Sequence, residues 1–153
     1  MRVISLAVLA TALLAAPAGA FDPTGLWWAE RGAAKVAVSR CDDALCGRVV
    51  WLRSPLDESG CLARDAENPD PALRDRALVG LDLLRELRPS ETDPDEWSGG
   101  KIYDPTSGRS YSAVVRMADP DRLEVRGYLG IRLLGRTTTW VRVGVERVCR
   151  SGT

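Results

Sequence analysis

Apolar and polar residues alternate in short runs along most of this chain, and glycine, proline or aspartate bounds each run. A period of two puts successive side chains on opposite faces of a half-buried strand. Gly25-Leu26-Trp27-Trp28-Ala29-Glu30 is the first such run, ended by Gly32. Lys35–Arg40 follows, with Val36 and Val38 on one face and Lys35 and Ser39 on the other. Gly47-Arg48-Val49-Val50-Trp51-Leu52 is the third, and simple alternation puts Val49 and Trp51 together, opposite Arg48. From Arg53 to Ala77 the pattern breaks at Ser54-Pro55, Ser59-Gly60 and Asn68-Pro69-Asp70-Pro71, which predicts a long loop. Within it, Asp70 before Pro71 reads as a helix N-cap and first helical position, so a short helix is expected over 71–76. Leu78–Leu87 fits helix or strand; strand is preferred because Val79, Leu81, Leu83 and Leu87 then share a face. Further strands are predicted over 97–103, 111–117, 123–129 and 136–143. Asp104-Pro105-Thr106-Ser107-Gly108 and Asp119-Pro120-Asp121 are the turns between them. Gly99-Gly100 is read as a bulge that curves the sheet. About eight strands at hairpin spacing with one helix make an all-β, up-and-down barrel or a sandwich.

If the sheet closes, first and last strands become neighbours. An arginine of the last, Arg136 or Arg142, would then lie on Trp27 of Gly25-Leu26-Trp27 and seal the barrel. A Gly-x-Trp opening strand with an arginine on the closing strand resembles the calycin superfamily, the lipocalins and their relatives. A closer likeness covers nearly all of residues 21–153. Gly47–Leu52, Asn68–Arg74, Gly99–Pro105, Gly108, Tyr111, Arg126–Gly130, Gly135-Arg136-Thr137 and Trp140 resemble, in order, the bacterial family called domain of unknown function 2147. That resemblance implies a lipocalin-like β-barrel exported to the periplasm or beyond. It implies no catalytic residues. Cys61 and Cys149 are not part of the family pattern.

The first twenty residues change the picture of where the fold starts. Arg2, the apolar run Val3–Ala16 and Ala18-Gly19-Ala20 have the form of a signal peptide with its cleavage site, so residues 21–153 are expected to form a single domain. Periplasmic or secreted localisation, without a membrane span, follows. All four cysteines lie beyond that point, and an even number in an exported chain predicts disulfides. Cys41 and Cys46 flank Asp42-Asp43-Ala44-Leu45, read as a four-residue hairpin loop, and are paired on that ground; Cys61 and Cys149 pair by elimination.

Charge excludes more than it suggests. With 21 basic and 21 acidic residues, nothing steers the chain towards nucleic acid or an anionic membrane. The absence of histidine removes Ser-His-Asp and Cys-His catalysis and the commonest transition-metal ligand. Asp65, Asn68 and Asp70 form an oxygen-rich cluster but lack calcium-loop spacing and read as caps and turns, so neither metal nor cofactor is expected. Asp82, Asp104 and Glu124 are the carboxylates from which an acid–base pair would have to come, and no nucleophile motif accompanies them. Trp51, Trp97, Tyr103, Tyr111 and Tyr128 are amphipathic aromatics on predicted strands, the residue type that lines an apolar pocket. The leading functional expectation is therefore noncatalytic binding of a small, largely apolar ligand inside the barrel, with Arg53–Ala77 near its mouth. The alternative is a filled barrel acting as an interaction module on an exported or envelope partner.

Overall fold

A computed structural model describes residues 20–144. The expected signal peptide and Cys149 lie outside the described residues. Eight strands form in chain order: β1 (Gly25–Ala29), β2 (Ala34–Cys41), β3 (Ala44–Leu52), β4 (Asp82–Pro89), β5 (Glu96–Asp104), β6 (Arg109–Asp119), β7 (Arg122–Tyr128) and β8 (Arg136–Arg142). Each pairs antiparallel with the next, and β8 returns to β1 through Trp27 opposite Arg142 and Trp28 opposite Val141. The sheet is a closed barrel, which leaves no free edge to pair with another chain. Because neighbours are antiparallel, the connections after β1, β3, β5 and β7 lie at one end, here the loop end. Those after β2, β4 and β6 lie at the other.

Inward-facing residues fill the barrel. Trp27, Trp97, Trp140, Met117, Leu123 and Leu87 belong to one cluster, and none is more than 4% exposed. Burying six side chains of that size contributes about 1.5–3 kcal/mol each from the hydrophobic effect. The Trp27 indole N–H donates to the Pro23 carbonyl at 2.9 Å, whereas the equally large, buried Trp140 ring has no partner for its indole N–H among the described residues. Outward positions on the wall are charged, among them Arg48, Lys101, Arg116 and Arg122.

Two bulges depart from simple alternation. Lys35 pairs with Trp51 but Val36 with Val49, so Val50 is an extra residue in β3 and Trp51 turns to the outer wall, away from Val49. In β4, Glu86 takes a left-handed φ of 60°, and Leu84 and Leu87, three apart, are both fully buried. The strand starts at Asp82 instead of Leu78, and the face inferred from Val79, Leu81, Leu83 and Leu87 is broken: Val79 is exposed and Leu84 replaces Leu83 in the centre. Gly99, at φ 79°, is the extra residue where β5 slips against β6, so the expected glycine bulge bends the sheet there.

The β2–β3 turn is tighter than predicted. Cys41 pairs with Ala44, leaving Asp42-Asp43 as a two-residue turn with Asp42 at φ 52°. Cys41 and Cys46 are disulfide-bonded, their Cα atoms 6.0 Å apart. Cys61 is exposed. The expected helix is a single 3-10 turn, Pro71–Leu73, with the Asp70 carboxylate accepting the Ala72 N–H at 3.0 Å. It stops there because Arg74 N–H already closes on Pro71 and the chain turns back to pair Ala77 with Arg64.

Candidate functional site

Alternation along β5 decides where the site forms. Ile102 packs with the barrel interior, so alternation turns Tyr103 to the other face at the loop end of β5, where its ring is packed in a second, smaller cluster with Val49 and Leu81. The long loop folds over it. The Tyr103 hydroxyl donates to Asp65 Oδ1 at 2.6 Å, and Asn68 Nδ2 donates to both Asp65 Oδ2 at 2.7 Å and the Tyr103 oxygen at 3.1 Å. Arg76 Nε donates to Asp65 Oδ2 at 2.8 Å, and its guanidinium carbon lies 5.6 Å from the Tyr103 ring centroid. Asp65 is fully buried and Asn68 nearly so. Burial pushes the Asp65 carboxyl up, but the bonds from Tyr103, Asn68 and Arg76, with the Arg76 charge, outweigh it and hold the group below its ordinary value. Burial and the Asp65 carboxylate together push the Tyr103 hydroxyl up.

Gly108 sits where this loop crosses the β5–β6 turn. A Cβ there would collide with the Glu67 carbonyl, and its φ is 66°, so glycine is required for the loop to lie flat. Beside the loop is an outer cleft of about 610 Å³. Leu73, Val79 and Leu81 are among its apolar lining, and Tyr103, Ser110, Arg76 and Arg85 among its polar lining. Arg85 has no ion-pair partner among the described residues, whereas Asp82 is held by Arg48 at 2.7 Å. A second outer concavity, about 840 Å³, lies against β2–β4 and is lined by charged residues and the disulfide.

The five predicted pocket aromatics do not converge. Tyr103 alone lines the cleft. Trp97 is in the filled interior, and Tyr111 is half-buried beside Ile102 and Gly127. Tyr128 is half-buried at the end of β7. Trp51 stands on the outer wall, edge-on to Trp28 at 5.4 Å, with Lys35 Nζ 4.5 Å from the Trp28 ring and 5.1 Å from its own. The closure arginine is Arg142, 4.2 Å above Trp27, while Arg136 lies at the far end of β8 opposite Gly127.

The oxygen cluster is likewise split: Asp65 and Asn68 take part in the buried network, and Asp70 caps its turn. Among the described residues no group of three His, Cys, Asp or Glu is placed to hold a metal ion. The carboxylates weighed for acid–base work have structural partners where partners are seen. Asp82 is paired with Arg48, and Asp104 accepts the Thr106 and Ser107 hydroxyls at 2.6 Å each. Burial raises Asp104, and these hydroxyls and backbone N–H groups more than reverse it. Arg76, Arg85 and Val79 escaped the sequence reading because nothing local marks them as cleft residues.

The stretches that carry the family likeness meet here. Arg74 Nε donates to the Asn68 carbonyl at 2.8 Å, and Asn68, Tyr103, Asp104 and Gly108 all lie at the crossing of loop and turn. The model of the family described as uncharacterised proteins conserved in bacteria, domain of unknown function 2147, matches residues 25–142. The chain belongs to that family. The family model spans all eight strands, so the barrel and the loop over Tyr103 fall inside the matched region. Among solved structures, Helicobacter pylori protein HP1028, described as belonging to the lipocalin family, is similar in fold. It shares 23% identity, with a TM-score of 0.66 over 82% of this chain and 86% of that one. No curated protein matches this chain.

Proposed function

We propose that this family member is a noncatalytic binder of small amphiphilic molecules, and that its site is the outer cleft beneath the long loop instead of the barrel axis. One contrast carries the reading: the axis is packed with tryptophans and aliphatics, while a cleft of about 610 Å³ stands beside the buried Tyr103 network. Its aliphatic wall suits an apolar body, and the unpaired Arg85 suits one acidic group. The buried network gives the cleft a fixed floor, which lowers the entropic cost of binding. Export to the periplasm or beyond accords with the Cys41–Cys46 disulfide, which needs an oxidising compartment, and with the leader-like first twenty residues.

The test is native mass spectrometry of the protein from an exporting host, followed by calorimetry with medium-chain fatty acids and the corresponding alcohols. Arg85→Gln should weaken acids about tenfold, the scale of one lost charge-assisted bond, and leave alcohols unchanged. Val79→Asp, at an exposed wall position, should weaken both. A bare mass together with no heat from any compound would overturn the proposal.

A further inference from the structure

Exposed apolar residues gather at one end of the barrel. Eight of the twelve large hydrophobic side chains standing in solvent lie on loop-end connections. The densest group is Leu129, Ile131, Leu133 and Leu134, between β7 and β8. Single exposed leucines are ordinary, but four within six residues form a patch that a water-facing surface seldom keeps.

The segment is held in place. Leu134 N–H closes on the Ile131 carbonyl at 3.2 Å and Gly135 N–H on Arg132 at 3.1 Å, making a 3-10 turn over Arg132–Leu134. Arg126, from β7, grips it underneath: Nε donates to the Arg132 carbonyl at 2.9 Å, Nη2 to the Leu133 carbonyl at 2.9 Å and Nη1 to Thr137 Oγ1 at 2.7 Å. The Arg132 guanidinium is paired with Glu96 on β5. Thus the backbone is fastened by the arginines while the aliphatic side chains stay outside.

Charge is distributed to match. Residues 126–136 carry Arg126, Arg132 and Arg136 and no carboxylate, and Arg136 has no ion-pair partner among the described residues. The connections at the opposite end carry Asp42, Asp43, Glu91, Asp93, Asp95 and Asp121 and no basic residue. Arg88, Arg116 and Arg142 pair with Asp43, Asp93 and Asp121 there, and the β3–β4 connection at the loop end mixes six carboxylates with four arginines, so the basic character is local to the 126–136 tip. An anionic surface would still repel the opposite end more than that tip.

We propose that segment 129–135 docks this protein on an anionic lipid bilayer, with the four aliphatic side chains entering the interface and the acidic end turned away. An aliphatic tip with basic neighbours is the chemistry that partitions into a charged headgroup layer. A protein interface of comparable strength ordinarily centres on aromatic anchors, and this tip has none. The inference does not depend on the ligand cleft, whose test reads small-molecule binding without vesicles.

The experiment is co-sedimentation of the protein from an exporting host with vesicles of phosphatidylcholine alone and of phosphatidylcholine mixed with phosphatidylglycerol. Its mass is measured first, because an uncleaved residue 1–20 run would itself partition. The protein should bind the phosphatidylglycerol vesicles and bind pure phosphatidylcholine more weakly. The double variant Leu133→Asp, Leu134→Asp should lose binding at least about tenfold, while Val50→Asp, an exposed change on the barrel wall, should leave it unchanged. A matching thermal melt shows that the double variant is folded. Absence of binding to both vesicles, equal binding by the double variant, or a protein partner lost by that variant without any vesicle binding would overturn the proposal.

Discussion

Arg142 lies with its guanidinium carbon 4.2 Å from the centroid of the Trp27 ring, and the same guanidinium donates to three backbone carbonyls, Pro120 at 2.8 Å, Thr24 at 2.8 Å and Asp22 at 2.8 Å. One side chain therefore joins β8, the β6–β7 turn and the segment leading into β1. Arg142→Ala should cost about 2–4 kcal/mol, since the cation–π contact and several carbonyl bonds go together. Arg142→Lys should recover little of this, because an ammonium on a flexible stem cannot span three carbonyls in a plane. Denaturant melts of the two variants measure both values.

Trp27→Ala should cost about 3–5 kcal/mol, by the same measurement, as a fully buried ring leaves a cavity that the barrel cannot collapse into. A silent Trp27→Ala would mean that the closure pair is not what holds β1 to β8.

The Tyr103–Asp65 network predicts opposite responses to acid and alkali. The Asp65 pKa is lower folded than unfolded, so its contribution is full above the unfolded value of about 3.9 and is lost as pH falls through the folded value. The Tyr103 pKa is higher folded than unfolded, so its contribution is full below about 10 and is lost as pH rises through the folded value. Hydrogen exchange of the 61–78 backbone should quicken at both extremes while β6 stays protected. Asp65→Ala should cost about 3 kcal/mol at neutral pH, by leaving Tyr103 and Arg76 without their shared acceptor.

Gly108→Ala should open the loop without opening the barrel. The added methyl meets the Glu67 carbonyl, which is backbone and cannot swing aside. Limited proteolysis should then cut within residues 53–81 at a rate several-fold above the wild type, with near-native circular dichroism retained.

Reduction of Cys41–Cys46 should cost about 2 kcal/mol, the chain-entropy value for so short a ring, and leave the fold intact. A denaturant melt with and without reductant reads this directly.

The barrel was legible because its signals are local. Alternating runs, turn residues and the Gly25-x-Trp27 opening each reside in a few consecutive residues, and their sum points to a closed sheet. The bulges at Val50 and Glu86 were not legible, since they depend on which partner residue a strand slips against, and a slip of one sends Trp51 to the outer wall. The loop network was half visible. Asp65 and Asn68 stood out as an oxygen cluster, and Tyr103 as a strand aromatic, but their meeting spans 38 residues of chain, and no local pattern encodes it. The cleft was illegible for the same reason: Tyr103 turns away from the barrel axis, and the wall it shares is supplied by a loop.

Closure by Arg142 also orders events in time. Its bond to Thr24 joins positions 118 residues apart, among the longest spans in the described residues. Hairpins β2–β3, β5–β6 and β6–β7 can form as soon as their own residues are available, whereas β1 must wait, paired on one side only, until the last strand arrives. Trp27 is thus the first strand tryptophan to emerge from the N-terminus and among the last to reach its final surroundings, and its fluorescence would report completion of folding rather than its onset.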